Sequence, residues 1–321
     1  MGPARQPTDA VDFASDCWFL TGPTAAGKTR VGLELARQLD AEIISLDSMA
    51  VYRGMDIGTA KPTAAERVLV PHHLIDLVDP DSDYSLAQYV DAAAAAAGDI
   101  RERGKQVLFV GGTPLYLKSL LRGIFQGPPA DWAFRTQVKE EVEQVGTAAL
   151  HERLQQVDPL TAARLHPNDT RRIIRALEVY RLTGRPISHL QTQFDEGRPA
   201  AECRVFVLDW PREILHQRID ARVGRMIELG FVDEVRRLRE RFPRLSRTAA
   251  QAVGYREMIG HLAGEYGLDE AVAKIGLRTR QLSKRQGTWF RSLSECRRIV
   301  LEEGRDGADV VKEILAAAAG R

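Results

Sequence analysis

The stretch that decides the fold is Gly22-Pro23-Thr24-Ala25-Ala26-Gly27-Lys28-Thr29. Its spacing, G-x-x-x-x-G-K-[ST], is that of a Walker A loop. An apolar run at 17–20 precedes it and an amphipathic run at 31–39 follows it. This order predicts a strand, a glycine-rich loop and a helix, so that backbone N–H groups and the positive end of the helix dipole converge on one point. We therefore predict a cradle for a di- or triphosphate, with Lys28 as its point charge and the Thr29 hydroxyl placed to bind Mg²⁺.

The composition is that of a globular protein with about two domains. The chain has 321 residues, of which 44% are hydrophobic, and it carries 45 basic and 44 acidic side chains. No apolar run reaches the ~20 residues of a membrane span. Residues 1–16 lack the apolar run of a leader, and we expect them to form a loose tail. The three cysteines lie far apart and match no zinc spacing, which favours reduced core residues in a cytoplasmic protein.

The net charge of +1 conceals an asymmetry, because residues 1–150 carry −6 and residues 151–321 carry +7. A basic half indicates a polyanionic partner such as a nucleic acid. A solvated helical surface would have the same composition. Charge alone leaves both explanations open.

Strand-like and helix-like runs alternate through the first part of the chain. Apolar runs at 41–46, 73–78 and 107–110 predict strands, and Ser85 and Pro114 mark the starts of helices that follow. The alternation predicts a doubly wound α/β unit with a parallel sheet, whose ligands lie at the carboxyl ends of its strands.

The pattern changes after Gly127-Pro128-Pro129. It is helical from 131 to about 190, with breaks at Gly146, Asp158-Pro159, Pro167 and Gly184. It is then strand-like at 204–208, helical from 211 to about 291, and strand-like again at 298–301. We predict an α/β fold in which a P-loop parallel sheet, flanked by helices, is built from both ends of the chain and interrupted by an all-helical insertion domain. The expected divisions are 17–128 for the first part of the core, 129–202 for the insertion and 203–316 for the second part.

The position of the acidic residue is unusual for a P-loop protein. An ATPase or GTPase normally closes a second apolar strand with a carboxylate that holds Mg²⁺. Here the best such strand, 107–110, ends in Gly111-Gly112-Thr113, and the carboxylate is Asp47, after the strand at 41–46. Asp47 would face the phosphate cradle, where it could act as a metal ligand, a general base or a helix N-cap.

Several further motifs accompany the loop. They are SLDSMAVYRGMDIGTAKP at 45–62, VGGTPLY at 110–116, HPND at 166–169 leading to RRIIRALEV at 171–179, AVGYR at 252–256 and TRQLSKRQ at 279–286. Together they resemble the tRNA dimethylallyltransferase family, also called tRNA isopentenylpyrophosphate transferases, over about residues 18–301. The chain departs from the family at Gln251-Ala252, where bacterial members often have Arg-Cys, and at Ala26, where they often have Ser.

The resemblance implies that the loop cradles a prenyl diphosphate rather than ATP. It implies transfer of a dimethylallyl group from its diphosphate to N6 of the adenine just 3′ of the tRNA anticodon. An exocyclic amine must lose a proton as it attacks, and an aspartate is ionised at neutral pH, so Asp47 suits the role of base. By resemblance Lys28, Thr113 and Arg222 stabilise the leaving diphosphate, and Thr29 binds a Mg²⁺ held with it. Without the resemblance to the family, the sequence marks Arg222 only as an arginine on a charged amphipathic helix.

The resemblance also implies a set of tRNA-binding residues on the anticodon stem-loop interface. They are Asp47, Ser48, Met49, Ala50, Thr113, Arg135, Arg171, Arg172, Ile173, Ile174, Arg175, Gln251, Ala252, Val253, Gly254, Tyr255, Arg256, Lys284, Arg285 and Gln286.

The helix around Lys284 can be analysed without the family. Its spacing places Gln281, Lys284, Arg285, Thr288 and Arg291 on one basic face and Ile275, Leu282, Trp289 and Leu293 on a separate apolar face. This predicts a helix seated on a core with an outer side that binds phosphates or is simply solvated.

The partners implied are tRNA, dimethylallyl diphosphate and Mg²⁺, with no membrane, in a cytoplasmic monomer. Three other functions compete. An adenylate isopentenyltransferase would use a free nucleotide and would not need the basic half. A P-loop small-molecule kinase would transfer a phosphoryl group from ATP. A non-catalytic RNA-binding protein would not need Lys28, Thr29 and Asp47 together.

Overall fold

The chain folds around a single parallel sheet. The computed structural model describes residues 11–125, 127–191 and 197–319. Within these ranges the strands are β1 (Trp18–Thr21), β2 (Ala41–Ser45), β3 (His72–His73), β4 (Gln106–Gly111), β5 (Arg204–Asp209) and β6 (Cys296–Val300). Their order in the sheet is β3-β2-β4-β1-β5-β6, and every pairing is parallel. The predicted α/β class and the assembly of the sheet from both ends of the chain are confirmed, because β1 lies between β4 and β5.

Helices cover both faces of the sheet and extend beyond its carboxyl edge. They are α1 (Phe13–Asp16), α2 (Lys28–Leu39), α3 (Ala64–Leu69), α4 (Leu86–Glu102), α5 (Pro114–Arg122), then, after the helical segment described below, α9 (Arg212–Glu228), α10 (Phe231–Arg241), α11 (Arg247–Ala250), α12 (Tyr255–Leu262), α13 (Leu268–Arg291) and α14 (Gly307–Ala319). Among the described residues no helix is long and apolar enough to cross a membrane.

The central strands are apolar throughout because both of their faces are buried. Phe19 of β1 packs into the core on one face, where its ring stacks on that of Phe109 at 4.8 Å. The next residue, Leu20, packs into the opposite core with Leu35 of α2 and Phe206. The period-two alternation of a strand thus directs neighbouring apolar residues into two separate cores.

The chain divides into two compact units, one of residues 1–121 and 197–321 and the other of residues 122–196. These divisions lie a few residues from the expected 128/129 and 202/203. The second unit holds α6 (Trp132–Val157), α7 (Pro159–Arg164) and α8 (Thr170–Thr183). Its own core includes Leu154 and Ile173. Gly146 interrupts α6 with a left-handed φ of 84°, at a break that the sequence predicts.

Two sequence expectations are wrong in detail. The strand expected at 73–78 is reduced to His72–His73, because Leu74 and Asp76 adopt positive φ values of 59° and 58° that end the extended backbone. The loose tail expected over residues 1–16 is ordered from residue 11. Asp12 caps α1, and Phe13 is buried against the Phe109 ring at 5.8 Å. Residues 1–10 lie outside the described part of the chain.

Candidate active site

The glycine-rich loop follows β1 and wraps the N-terminus of α2. Gly22 has a φ of 143°, and a Cβ there would lie 2.6 Å from the Leu208 carbonyl oxygen on the neighbouring strand. Gly27 caps α2 in the left-handed region, with a φ of 90°. The two glycines therefore satisfy the tight turn and close approach of a phosphate loop, as the spacing predicts.

Two side chains hold the outer side of the loop, and sequence reasoning did not identify either. The indole N–H of Trp210 donates to the Ala26 carbonyl at 2.9 Å, and Nε of Arg218 donates to the Ala25 carbonyl at 2.8 Å. The Arg218 guanidinium lies 4.7 Å from the centre of the Trp210 ring. Arg218 precedes Arg222 by one turn of α9, and this i, i+4 spacing was the signal that could have found it.

Gln286 of α13 connects the loop to the turn after β4. Its Oε1 accepts from the Thr24 N–H at 2.9 Å, and its Nε2 donates to the Gly112 carbonyl at 2.6 Å. A Cβ at position 112 would lie 3.0 Å from Nε2 of Gln286 and 3.3 Å from Nζ of Lys28. The Gln286 side chain is therefore buried and supports the phosphate cradle, and its contact with tRNA stays a prediction.

Lys28 lies inside the loop that it follows. Its Nζ donates to the carbonyls of Gly22 and Pro23 at 2.9 and 2.8 Å. Removal from water, with a smaller contribution from the Arg222 guanidinium, lowers the pKa of Lys28 to about 7, whereas Asp47 acts in the opposite direction. Lys28, Arg222 and Asp47 therefore form one electrostatic group.

Asp47 lies in a turn beyond the end of β2 and beside the end of β4. Its Oδ1 accepts from the Met49 N–H at 2.8 Å, and Oγ1 of Thr113 accepts from the Ser48 N–H at 3.1 Å. These strand ends approach so closely that a Cβ on Gly111 would lie 2.2 Å from the Leu46 carbonyl oxygen. Asp47 closes an Asx-turn and caps no helix, so the N-cap role is wrong and the roles of base and metal ligand remain.

Arg222 reaches the same place from α9. Burial lowers the pKa of its guanidinium, and the nearby Asp47 carboxylate acts in the opposite direction. Among the described residues no carboxylate lies within 4 Å of it. A positive charge removed from water without a close counter-ion is suited to binding an anion.

These groups line one cavity of about 1120 Å³. All four predicted catalytic residues, Lys28, Asp47, Thr113 and Arg222, contribute to its wall, as does Thr29. The predicted tRNA-binding residues that also line it are Asp47, Ser48, Met49, Ala50, Thr113, Ala252, Val253, Gly254 and Gln286. Apolar side chains complete the wall, among them Ile219, Val223 and Met226 of α9.

The segment at 53–62 builds another part of this wall. The buried carboxylate of Glu234 accepts from the N–H groups of Asp56 and Ile57 at 3.0 and 2.7 Å. It also accepts from the Tyr255 hydroxyl at 2.6 Å. A Cβ on Gly58 would lie 2.5 Å from the Tyr255 ring, which explains the glycine. Tyr255 is fully buried, so its assignment to the tRNA surface is corrected to a role in holding this segment.

Lys61 in the same segment is also internal. Its side chain is only 1% exposed, and its Nζ donates to the carboxylates of Asp56 and Asp76 at 2.8 and 2.6 Å. This network fixes the end of the segment against the loop after β3. Neither this role nor that of Glu234 has a local sequence signal.

In the helical unit, Arg135 and Arg175 converge on one buried carboxylate. Nε and Nη2 of Arg135 each donate to Glu178 at 2.7 Å, and Nη1 of Arg175 donates at 2.5 Å. Burial alone would raise the pKa of Glu178, but the hydrogen bonds from both arginines outweigh it and lower that pKa. Ile173 and Ile174 are buried as well, so of the predicted set in this unit only Arg171 and Arg172 are exposed. The four other side chains organise the unit.

The basic face predicted for α13 is confirmed, whereas the apolar face is confirmed only in part, because Leu282 and Trp289 are half-buried. The predicted basic face is exposed at Gln281, Lys284, Arg285, Thr288 and Arg291. Ile275 and Leu293 are buried on the other side. Arg256, at the start of α12, and Gln251 are also exposed.

The fold and the site define a class: a P-loop α/β protein whose phosphate loop, aspartate and half-buried arginine face one cavity. The profile described as IPP transferase matches residues 50–293, and a profile described as isopentenyl transferase matches residues 15–72. A tRNA dimethylallyltransferase of Rhodopirellula baltica is 51% identical over 97% of this chain and 95% of its own. One of Pelotomaculum thermopropionicum is 46% identical over 92% and 94%.

Solved structures give the same result. The full-length tRNA isopentenylpyrophosphate transferase of Bacillus halodurans superposes with a TM-score of 0.68 at 37% identity, covering 95% of this chain and 97% of that one. A eukaryotic dimethylallyltransferase acting on tRNA superposes with a TM-score of 0.70 at 28% identity, covering 88% and 73%. The chain belongs to the tRNA dimethylallyltransferase family and is therefore a prenyltransferase.

Proposed function

We propose that this enzyme transfers a dimethylallyl group from dimethylallyl diphosphate to N6 of the adenine 3′ of a tRNA anticodon. The products are N6-(dimethylallyl)adenosine in the tRNA and diphosphate. The observation that carries the proposal is the single cavity in which the loop and its Lys28, the Arg222 guanidinium and the Asp47 carboxylate meet. Family membership supports both substrates.

The cavity wall contains groups that suit both parts of the donor. The N–H groups of the loop and the charges of Lys28 and Arg222 suit the diphosphate. The apolar side chains Ile219, Val223 and Met226 suit a short branched hydrocarbon.

The reaction breaks the C–O bond between the prenyl carbon and the diphosphate and forms a C–N bond to the adenine amine. Negative charge develops on the leaving diphosphate, where Lys28, Arg222 and the Thr113 hydroxyl stabilise the transition state more than the ground state. The amine nitrogen loses one proton, which Asp47 accepts. The target adenine leaves its stack to reach the cavity, and the residues at 47–50 and 252–254 are placed to receive it.

Mg²⁺ fits the site through the substrate. Among the described residues no three His, Cys, Asp or Glu side chains form a metal-binding group. Thr29 would supply a hydroxyl ligand to an ion that enters with the diphosphate, and the Asp47 carboxylate lines the same cavity. When bound, the ion would neutralise charge on the leaving group.

The decisive experiment offers three acceptors to one donor. The enzyme, Mg²⁺ and radiolabelled dimethylallyl diphosphate are mixed with unmodified tRNA bearing the target adenine, with AMP or with ATP. We expect label only in the tRNA. Label in a free nucleotide would make the enzyme an adenylate isopentenyltransferase, and ATP consumption without prenyl transfer would make it a kinase.

A further inference from the structure

A strongly basic segment lies outside the residues to which a role has been given. Residues 236–247 contain six arginines and one acidic residue, Glu240. This short stretch carries +5, which is most of the +7 of residues 151–321. The charge asymmetry of the chain therefore has a specific location, at the end of α10 and the start of α11.

These arginines form a surface. Phe231, Val235 and Leu238 bury one face of α10 in the core. All six arginines of 236–247 are exposed. The helix is about 16 Å long, at about 1.5 Å per residue, which is enough to follow several phosphates of a nucleic acid backbone.

The charge of this surface is mostly unbalanced. Arg236 pairs with Asp233, and the Arg241 guanidinium lies 5.0 Å from the centre of the Phe242 ring. For the other four, Arg237, Arg239, Arg244 and Arg247, no carboxylate lies within 4 Å in the described ranges. An ordinary solvated face alternates its signs and forms i, i+4 pairs, as Lys274 and Glu270 do on α13.

The arginine-rich segment is followed in the chain by a turn that lines the reaction cavity. The chain runs from Arg247 through α11 into the turn at 252–254, which lines the cavity. In addition α10 packs against α12, and α12 packs against α13. The exposed Arg256 and Lys284 thus lie on helices that neighbour the arginine-rich one.

We propose that Arg237, Arg239, Arg244 and Arg247 form a further RNA-binding surface that holds the sugar–phosphate backbone of the tRNA while its adenine occupies the cavity. This rests on the proposed function. Guanidinium groups match phosphate geometry with paired hydrogen bonds. Contacts of this kind contribute affinity and orientation but do not read sequence. The surface therefore contributes equally to the binding of every tRNA, and it affects the affinity for tRNA rather than the rate of prenyl transfer.

The test compares two triple variants that remove the same charge. R237A/R239A/R244A removes three arginines of the surface, none of which forms a hydrogen bond or an ion pair within the described ranges. The control R37A/R212A/K312A removes three exposed cations elsewhere on the same unit. A third variant, R237K/R239K/R244K, keeps the charge.

Binding of unmodified tRNA without prenyl donor is measured between low and high salt, and KM and kcat are measured for both substrates.

We expect the surface variant to bind tRNA at least about tenfold more weakly near 0.1 M salt and to lose about two to three units of salt slope. KM for tRNA should rise in parallel, whereas kcat and KM for dimethylallyl diphosphate should not change. The control and lysine variants should retain most of the slope. An unchanged slope, or a loss equal to that of the control, would overturn the proposal.

Binding is measured without catalysis, so the two proposals can fail separately. A wild-type enzyme that binds tRNA but transfers no prenyl group would contradict the proposed reaction. The salt dependence of tRNA binding would still show whether the arginine surface binds RNA.

Discussion

Asp47 illustrates how a side chain can combine structure with chemistry. Its Oδ1 closes the turn with the Met49 N–H at 2.8 Å, and the residue lines the cavity with Lys28 and Arg222. An alanine would remove both functions together. An asparagine keeps the acceptor for the turn but cannot take a proton from the adenine amine.

We therefore predict that Asp47→Asn lowers kcat by about 10²- to 10⁴-fold, the usual contribution of a general base, with nearly unchanged tRNA binding. Single-turnover prenyl transfer and a tRNA binding assay would measure the two effects. Asp81→Asn, an exposed carboxylate in the same unit, is the matched control. Full activity of Asp47→Asn would rule out the base.

The lowered pKa of Lys28 predicts that stability and diphosphate binding both depend on pH. Its pKa falls from 10.5 to about 7 in the folded protein, chiefly through removal from water. Between pH 7 and 10.5 the unfolded chain binds more protons than the folded one at this site, so the contribution of Lys28 makes the free protein more stable as pH rises. The ammonium form that attracts a diphosphate is lost over the same window.

We predict that affinity for inorganic pyrophosphate falls as pH rises through about 7, by up to tenfold per unit. Calorimetric titration at several pH values would measure it. Pyrophosphate itself also titrates, and Lys28→Arg, whose guanidinium stays charged, corrects for that. An equal fall in pyrophosphate affinity in the wild type and in Lys28→Arg would show that Lys28 does not titrate near pH 7.

The helix α13 directs neighbouring polar residues to opposite sides. Gln286 points inward and bridges Thr24 to Gly112, whereas Lys284, two residues earlier, is exposed. The sequence places both in one motif, and only the fold separates them.

Substitutions on the two faces of α13 should have different effects. Gln286→Leu should raise KM for dimethylallyl diphosphate several-fold with little change in the salt slope of tRNA binding, because it releases the loop from the β4 turn. Lys284→Ala should lower that slope by about one with little change in the donor KM. Steady-state kinetics with each substrate varied would distinguish them. Equal effects of both variants on both substrates would contradict the division.

The two units of the molecule have separate hydrophobic cores. The sheet unit contains the entire cavity, and the helical unit has a separate core around Leu154. A cavity made in one core should leave the other intact, since distant sites contribute almost additively to stability.

We predict that Leu154→Ala destabilises the helical unit by about 2–5 kcal/mol, because Leu154 is 0% exposed. Pyrophosphate binding by the sheet unit should persist, whereas transfer to tRNA should decline with temperature before the wild type does. Thermal unfolding followed by circular dichroism, with calorimetric binding, would test this. Leu160→Ala, which is 57% exposed in the same unit, is the control. Loss of pyrophosphate binding in Leu154→Ala would mean that the units are not independent.

The sequence by itself determined the phosphate loop, the parallel α/β order and the exposed basic face of α13. Each depends on short-range physics: glycines permit the turn of the loop, and apolar periodicity fixes strands and helices within a few residues. The helix breaks at Gly146 and Gly184 could be predicted for the same reason, and both glycines adopt positive φ.

Only the tertiary structure decided which polar side chains face inward. Glu234 bonds to the Asp56 N–H across 178 residues, and Gln286 bonds to the Thr24 N–H across 262. A glutamate or glutamine on an amphipathic helix has the same local pattern whether water or a distant backbone group satisfies it. The difference exists only once the chain has brought those backbone groups to the helix, because a buried polar group must find its partners in the fold.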